Sequence, residues 1–409
     1  MTRPVVLTGM GCVLAGAAGA DAVAERLAAG QAPTWEVDTG AGSHRPFGAR
    51  RAVLADGVDL SAWLPPLEAR RMSRISRLGV AAARMALAAA GLPGGAAPEE
   101  TVATVFATSF GPSEYTERIL EQIFEQGPEA VSPFLFAESV ANAAAAQVAR
   151  LTGARGSNVA ITQREAGPLL ALASGALEVA EGRAGRALVG AADEMNPLLH
   201  AALDRFRALA RQGANGSERA RPFDRHRDGF LAGEGAAVVV AEPEEAALRR
   251  GAPVLARFAG ATAGFDPTAP PWGWGSGAAG LADSLRRGLA RHGVDPGDID
   301  LIVAGANGAR DGDRLEAEVL RRVWEGHELP PVVAPKGVTG EVGGALLAAP
   351  LLALAGRPFG PTAGFATPDP EIGFEPHRGD SLPPPLRVLV SAVAAGGAAA
   401  WAWLEAAEA

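Results

Sequence analysis

The sequence predicts an α/β fold made of two similar halves. Short apolar runs alternate with longer helical segments along the chain, and the same rhythm starts again near residue 250. With 409 residues, nearly half of them apolar, the chain is long enough to bury a sizeable core.

VVLTGMG (5–11) reads as a buried strand ending in glycines, followed by helices over 21–29 and 71–91. TVATVFATS (101–109) is the second strand, and 113–126 and 137–151 carry helical spacing. NVAIT (158–162) is the third strand, 166–182 a helix and RALVGAAD (186–193) the fourth strand. AAVVVAEP (236–243) is the fifth, before a short helix over 244–251 closed by glycine. The second half gives a strand at 254–264, a helix at 276–293, a strand at 301–305 and a helix at 311–325. A glycine-rich helix over 341–356 and two final strands around Gly396–Gly397 complete it. Proline places 265–275 and 383–386 in surface loops. The chain thus divides into a first half, 1–250, and a second, 251–409.

Composition excludes several function classes. A net charge of −9 without a basic stripe argues against nucleic acid as a partner. No apolar run reaches the length of a membrane span and the N-terminus has no leader pattern, so the reading is of a soluble, cytoplasmic protein. One cysteine, Cys12, rules out an internal disulfide framework and reads as a small buried residue beside a glycine turn. No zinc spacing, GxSxG elbow or dinucleotide fingerprint is present: Leu14 stands where GxGxxG needs its last glycine. No cofactor or metal is expected. Lys336 is the only lysine, which marks it as a residue held by chemistry.

PFDRHRDGFLAGEGAAVVVAEPEEAALRRG (222–251) resembles the PFD-x-x-R-DGF-x-x-GEGA signature of the β-ketoacyl synthases. VVLTGMG, SPFLFAESVANAAAAQVARLTGARGSN (132–158), DGDRLEAEVL (311–320), PKGVTGEVGGALLAAP (335–350) and the terminal AAGGAAA support the likeness in the family's order. The resemblance implies the duplicated, five-layered αβαβα thiolase fold. It also implies a nucleophilic cysteine at a strand-to-helix turn and two histidines that polarise a malonyl thioester.

None of the three reacting residues is present. ITQREAGPLL (161–170) puts Glu165 at the cysteine position, Asn307 lies near the first histidine position in a shortened loop, and Glu341 takes the second. Lys336 and Glu316 match the family's retained lysine and glutamate. A carboxylate is a poor thioester nucleophile, and an ionised Glu341 would repel the malonyl carboxylate, so ordinary condensation is not expected here.

This pattern is similar to the chain length factor, or ketosynthase β subunit, of type II polyketide synthases. That resemblance implies a catalytically degenerate subunit, heterodimeric with an active ketosynthase, served by an acyl carrier protein and holding a polyketide chain in a shared tunnel. By the same resemblance, the helix beginning GPSEYTERIL (111–120) carries the tunnel-shaping side chains Ser113, Thr116 and Leu120, with Tyr115, the only tyrosine, on the same helix. Ala395 takes the place of a gate phenylalanine. Glu165 then fills a vacated site, paired with Lys336 or capped by the helix N-terminus. Two alternatives are a malonyl decarboxylase or other acyl-thioester enzyme using Glu165 and Glu341, and a non-catalytic homodimeric scaffold. The arginines and aspartates of 219–229 read as a solvated or structural ion network.

Overall fold

Ten consecutive buried residues, Val5–Leu14, form β1 in the middle of the main sheet. A run apolar on both faces is what a strand covered from both sides requires. The computed structural model describes residues 3–40, 44–92, 101–213, 217–379 and 382–407.

Shorter strands and single turns aside, the first half continues with α1 (Ala20–Ala29), α2 (Arg74–Ala89), β2 (Val102–Ala107), α3 (Ser113–Gln126), α4 (Pro133–Ser139) and α5 (Ala143–Thr152). It goes on through β3 (Asn158–Ile161), α6 (Gly167–Ala180), β4 (Arg186–Asp193), α7 (Pro197–Arg205), β5 (Gly235–Pro243) and α8 (Glu244–Arg249). The second half runs β6 (Ala256–Phe265), α9 (Ala278–Arg291), β7 (Leu301–Val303), α10 (Arg310–Val323) and β8 (Val332–Val333). It closes with α11 (Lys336–Thr339), α12 (Ala345–Leu354), β9 (Arg387–Val393) and β10 (Ala398–Glu405).

Each half lays its strands in the same order, third, second, fourth, fifth, first: β3–β2–β4–β5–β1 and β8–β7–β9–β10–β6. The pairing sense repeats as well. The third–second and second–fourth pairs are parallel, and the fourth–fifth and fifth–first pairs are antiparallel, in both halves. β1 joins β6 antiparallel, with Val5 opposite Phe258, so one hydrogen-bonded path passes through the whole molecule.

Five layers follow from what the helices touch. α2 and α5 pack on the outer side of the first half-sheet, α9 and α10 on the outer side of the second. Between the half-sheets lie α6, against β2, β4, β5, β6 and β10, and α12, against β5, β9 and α6. All ten residues of α12 are buried, including Pro350, and only a helix enclosed on every side can be apolar all round.

The structure corrects several boundaries. The helix expected over 137–151 is two helices, because α4 starts early on Pro133 and α5 starts afresh after Asn142. The helix expected over 341–356 begins only at Ala345, with Gly343 and Gly344 in the turn before it. α7 was not expected at all, although Asn196 caps it through its side chain and Pro197 opens its first turn. The 219–229 segment, expected to be a solvated or structural ion network, holds a buried ion pair. Arg227 is buried, bound to Asp369 and to the carbonyls of Asp224 and Arg310.

Candidate functional site

β3 ends at Ile161, and a 3₁₀ turn over Arg164–Ala166 carries the chain into α6. Arg164 holds a left-handed φ of 43°, a strained conformation for a residue with a Cβ. Glu165 sits at the crest of this turn, 8% exposed, with its Oε2 accepting the Ala395 N–H at 3.3 Å. That amide belongs to the glycine turn between β9 and β10, so the two halves meet at this carboxyl.

Glu341 approaches from the other side. Gly340, at φ 68°, reverses the chain after α11 so that the Glu341 N–H reaches the Leu231 carbonyl at 2.8 Å. The AGEG segment runs directly beneath, where a Cβ on Gly233 would come within 2.7 Å of the Thr339 carbonyl oxygen. The close approach of these two backbones fixes where Glu341 points. Lys336 Nζ donates to Glu341 Oε1 at 2.6 Å, and Asn307 Nδ2 donates to Oε2 at 2.5 Å. Both oxygens of Glu341 are therefore occupied.

The remaining positions form a buried polar floor. Asn307 is set by Asp313, whose carboxylate accepts the N–H groups of Asn307, Gly308 and Phe223. Glu316 accepts the Gly305 N–H at 3.0 Å and lies near Lys336, with which it is not directly bonded. Asp193, at the end of β4, clamps Ser109, Thr108 and Gly343 together. Neither Asp193 nor Asp313 was singled out in the sequence. An acidic residue closing the apolar strand RALVGAAD was the available signal for the first.

Burial dominates the electrostatics. Desolvation and the Glu341 charge push the Glu165 carboxyl up to about 7, against the pull of Lys336. Desolvation likewise raises Glu316 to about 7, although bonds from Ser391 and Gly305 oppose it. Asp193 and Asp313 rise to about 6 for the same reason, despite the N–H groups pointed at them. Lys336 is the direct ion-pair partner of Glu341, and burial leaves the Glu165 carboxyl able to take up a proton near neutral pH.

A cavity of about 660 Å³ opens over Glu165 and Glu341. Phe206 and Trp272, 75% and 72% exposed, stand among its walls with Phe110, Trp274, Arg164 and Arg207. No thiol faces it: Cys12, the chain's one cysteine, is buried in β1, where desolvation pushes its pKa up to about 12. Among the described residues, no cluster of three or more histidine, cysteine or acidic side chains could hold a metal ion.

The four positions on α3 separate by face. Thr116 and Leu120 are exposed, and Ser113 is half-buried with its hydroxyl toward Glu194. Tyr115 points inward, buried edge-on to Phe134 with Arg118 over its ring. The structure brings Glu165, Asn307, Glu341 and Lys336 into one site and leaves the α3 positions outside it.

The family model for the β-ketoacyl synthase N-terminal domain matches residues 2–247, and that for the C-terminal domain matches 271–357. The chain is 31% identical over 389 residues to the putative polyketide beta-ketoacyl synthase 1 of Streptomyces cyaneus, covering 92% of this chain and 91% of that protein. It is 30% identical over 389 residues to the tetracenomycin polyketide synthase ketoacyl synthase alpha subunit of Streptomyces glaucescens, covering 91% and 90%. Among solved structures, the ishigamide ketosynthase/chain length factor superposes with a TM-score of 0.89 at 28% identity, over the full length of both chains. Across the described residues, no helix is long and apolar enough to cross a membrane.

Proposed function

From the premise that this chain belongs to the β-ketoacyl synthase family, we propose that it is a subunit of a type II polyketide synthase that does not itself condense acyl units. It pairs with an active ketosynthase and shapes the tunnel in which the partner's chain grows. One observation carries this reading: at the strained turn where the family places its thiol, the chain has a buried carboxyl. Nearby, Asn307, close to the first histidine position, is bonded to Glu341, at the second, and Lys336 holds the other oxygen of Glu341. That network contains neither a nucleophile for a thioester nor an imidazole to polarise one.

Two surface features support a protein partner. β3 ends the sheet with only β2 beside it, leaving an open edge where Asn158 and Val159 are exposed. Thr116 and Leu120 on α3 stand exposed, as tunnel-facing side chains at a subunit boundary must before the partner binds. Serine, threonine and leucine at these positions leave room for a long or linear acyl chain, in polyketide or polyene synthesis. A malonyl-decarboxylating role would set the charge of Glu341, held in place by Lys336 and Asn307, against the malonyl carboxylate.

The test is reconstitution. With acyl- and malonyl-loaded carrier protein the chain alone should neither extend the acyl group nor release carbon dioxide above background. Adding a ketosynthase with the cysteine and both histidines should give chain elongation. Carbon dioxide release by the chain alone, abolished in Glu165→Gln, would replace this reading with the decarboxylase.

A further inference from the structure

Helix α3 presents two adjoining stripes. Glu114, Glu117, Glu121 and Glu125 recur at spacings of three and four residues, which aligns them along one side of the helix. Beside them Leu120 and Phe124 are 41% and 83% exposed, and on the adjacent α4 Phe134 and Phe136 are 43% and 61% exposed. Large apolar side chains exposed together on two adjoining helices mark a surface that another protein can cover.

The acidic stripe is poorly compensated. Five carboxylates, counting Glu129 just past the helix, face one guanidinium, Arg118, which lies 3.9 Å from Glu114. Glu121, Glu125 and Glu129 have no basic partner among the described residues. Glu117 is held above the usual carboxylate range by partial burial and by the charges of Glu121 and Glu114, against the Asn196 amide that favours its ionised form.

We propose that this face docks a non-identical thiolase-fold subunit whose facing surface carries arginine or lysine, and that its carboxylates exclude a second copy of this chain. The proposal rests on the heterodimer reading above and supplies its selectivity. A closed two-fold pair of identical chains sets the same patch against itself. Here that would bring two poorly compensated acidic stripes together while burying Leu120 and Phe124, on chains that already carry a net charge of −9 each. A basic counterpart removes that repulsion, steers the encounter and fixes the choice of partner.

The experiment compares wild type, Glu121→Lys/Glu125→Lys and the neutral Glu121→Gln/Glu125→Gln at low and high salt. It measures affinity for the ketosynthase by titration calorimetry and self-association by analytical ultracentrifugation, after circular dichroism has confirmed folding. Charge reversal should weaken the heterodimer by about tenfold or more and remove its salt dependence, with the glutamine variant between. Self-association should rise in the same order. Unchanged affinity and salt dependence in the reversed variant, with the wild-type complex intact, would overturn the charge selectivity and leave the heterodimer standing. No wild-type complex at any salt would overturn both.

Discussion

Glu165, Glu341 and Lys336 divide protons and charge unequally, and the division has consequences for stability. Glu165 and Glu316 titrate near 7 when folded, against an ordinary 4.5 when unfolded, so the folded chain keeps protons that the unfolded chain releases. Their contribution is complete below about pH 4.5 and is lost as pH rises through about 7. His200 acts in the opposite sense, because burial lowers its pKa to about 4 and stability is lost as pH falls from 6.5. Glu165→Gln should therefore stabilise the protein by about 1–2 kcal/mol near pH 8, with the difference vanishing near pH 4, in urea melts at the two values. A variant that loses stability at both would mean that Glu165 is ionised in the native state. Lys336 is fully buried, and among the described residues the direct partner of its ammonium group is Glu341. Lys336→Ala should cost about 3–5 kcal/mol because it leaves a buried carboxylate uncompensated. Lys336→Met/Glu341→Gln should recover much of that loss.

At the scale of elements, a glycine-lined crossing places the site. The AGEG strand and the turn after α11 touch through Gly233 and Thr339 with no room for a methyl group. Gly233→Ala should cost about 2 kcal/mol or more and displace Glu341, visible as a lower melting temperature and a changed pH dependence in the window where Glu165 titrates. How far the elements could be read from the sequence depended on how local their causes are. β1 and α6 were legible because an unbroken apolar run or an alanine-rich repeat admits few alternatives. α4 and α5 were merged because the break at Val140–Asn142 involves neither glycine nor proline. α7 was missed because its signal is a nine-residue helix opened by Asn-Pro, easily taken for a loop. Glu165, Asn307 and Glu341 were singled out by the resemblance to the ketosynthase motifs. That Lys336 bonds to Glu341 and not to Glu165 was not legible, because it depends on the turn at Gly340 and on contacts between residues far apart in the chain.

The whole molecule repeats one topology twice and joins the copies through β1 and β6. The alternating rhythm made the α/β class legible, whereas the shared 3-2-4-5-1 order is a property of pairing that no local pattern displays. The repeat puts α6 and α12 between the half-sheets, with the turn before each delivering a carboxylate, Glu165 and Glu341, to a common cavity. Its outer surface leaves the β3 edge and one face of α3 exposed. The central claim is that this chain sets the room available to a growing acyl chain in an active complex without performing the condensation. The most direct test is mass spectrometry of the products made by the reconstituted pair with wild-type chain and with Leu120→Phe. A shift to shorter products at an unchanged one-to-one stoichiometry is the predicted result. Products of identical length from an intact complex would contradict it.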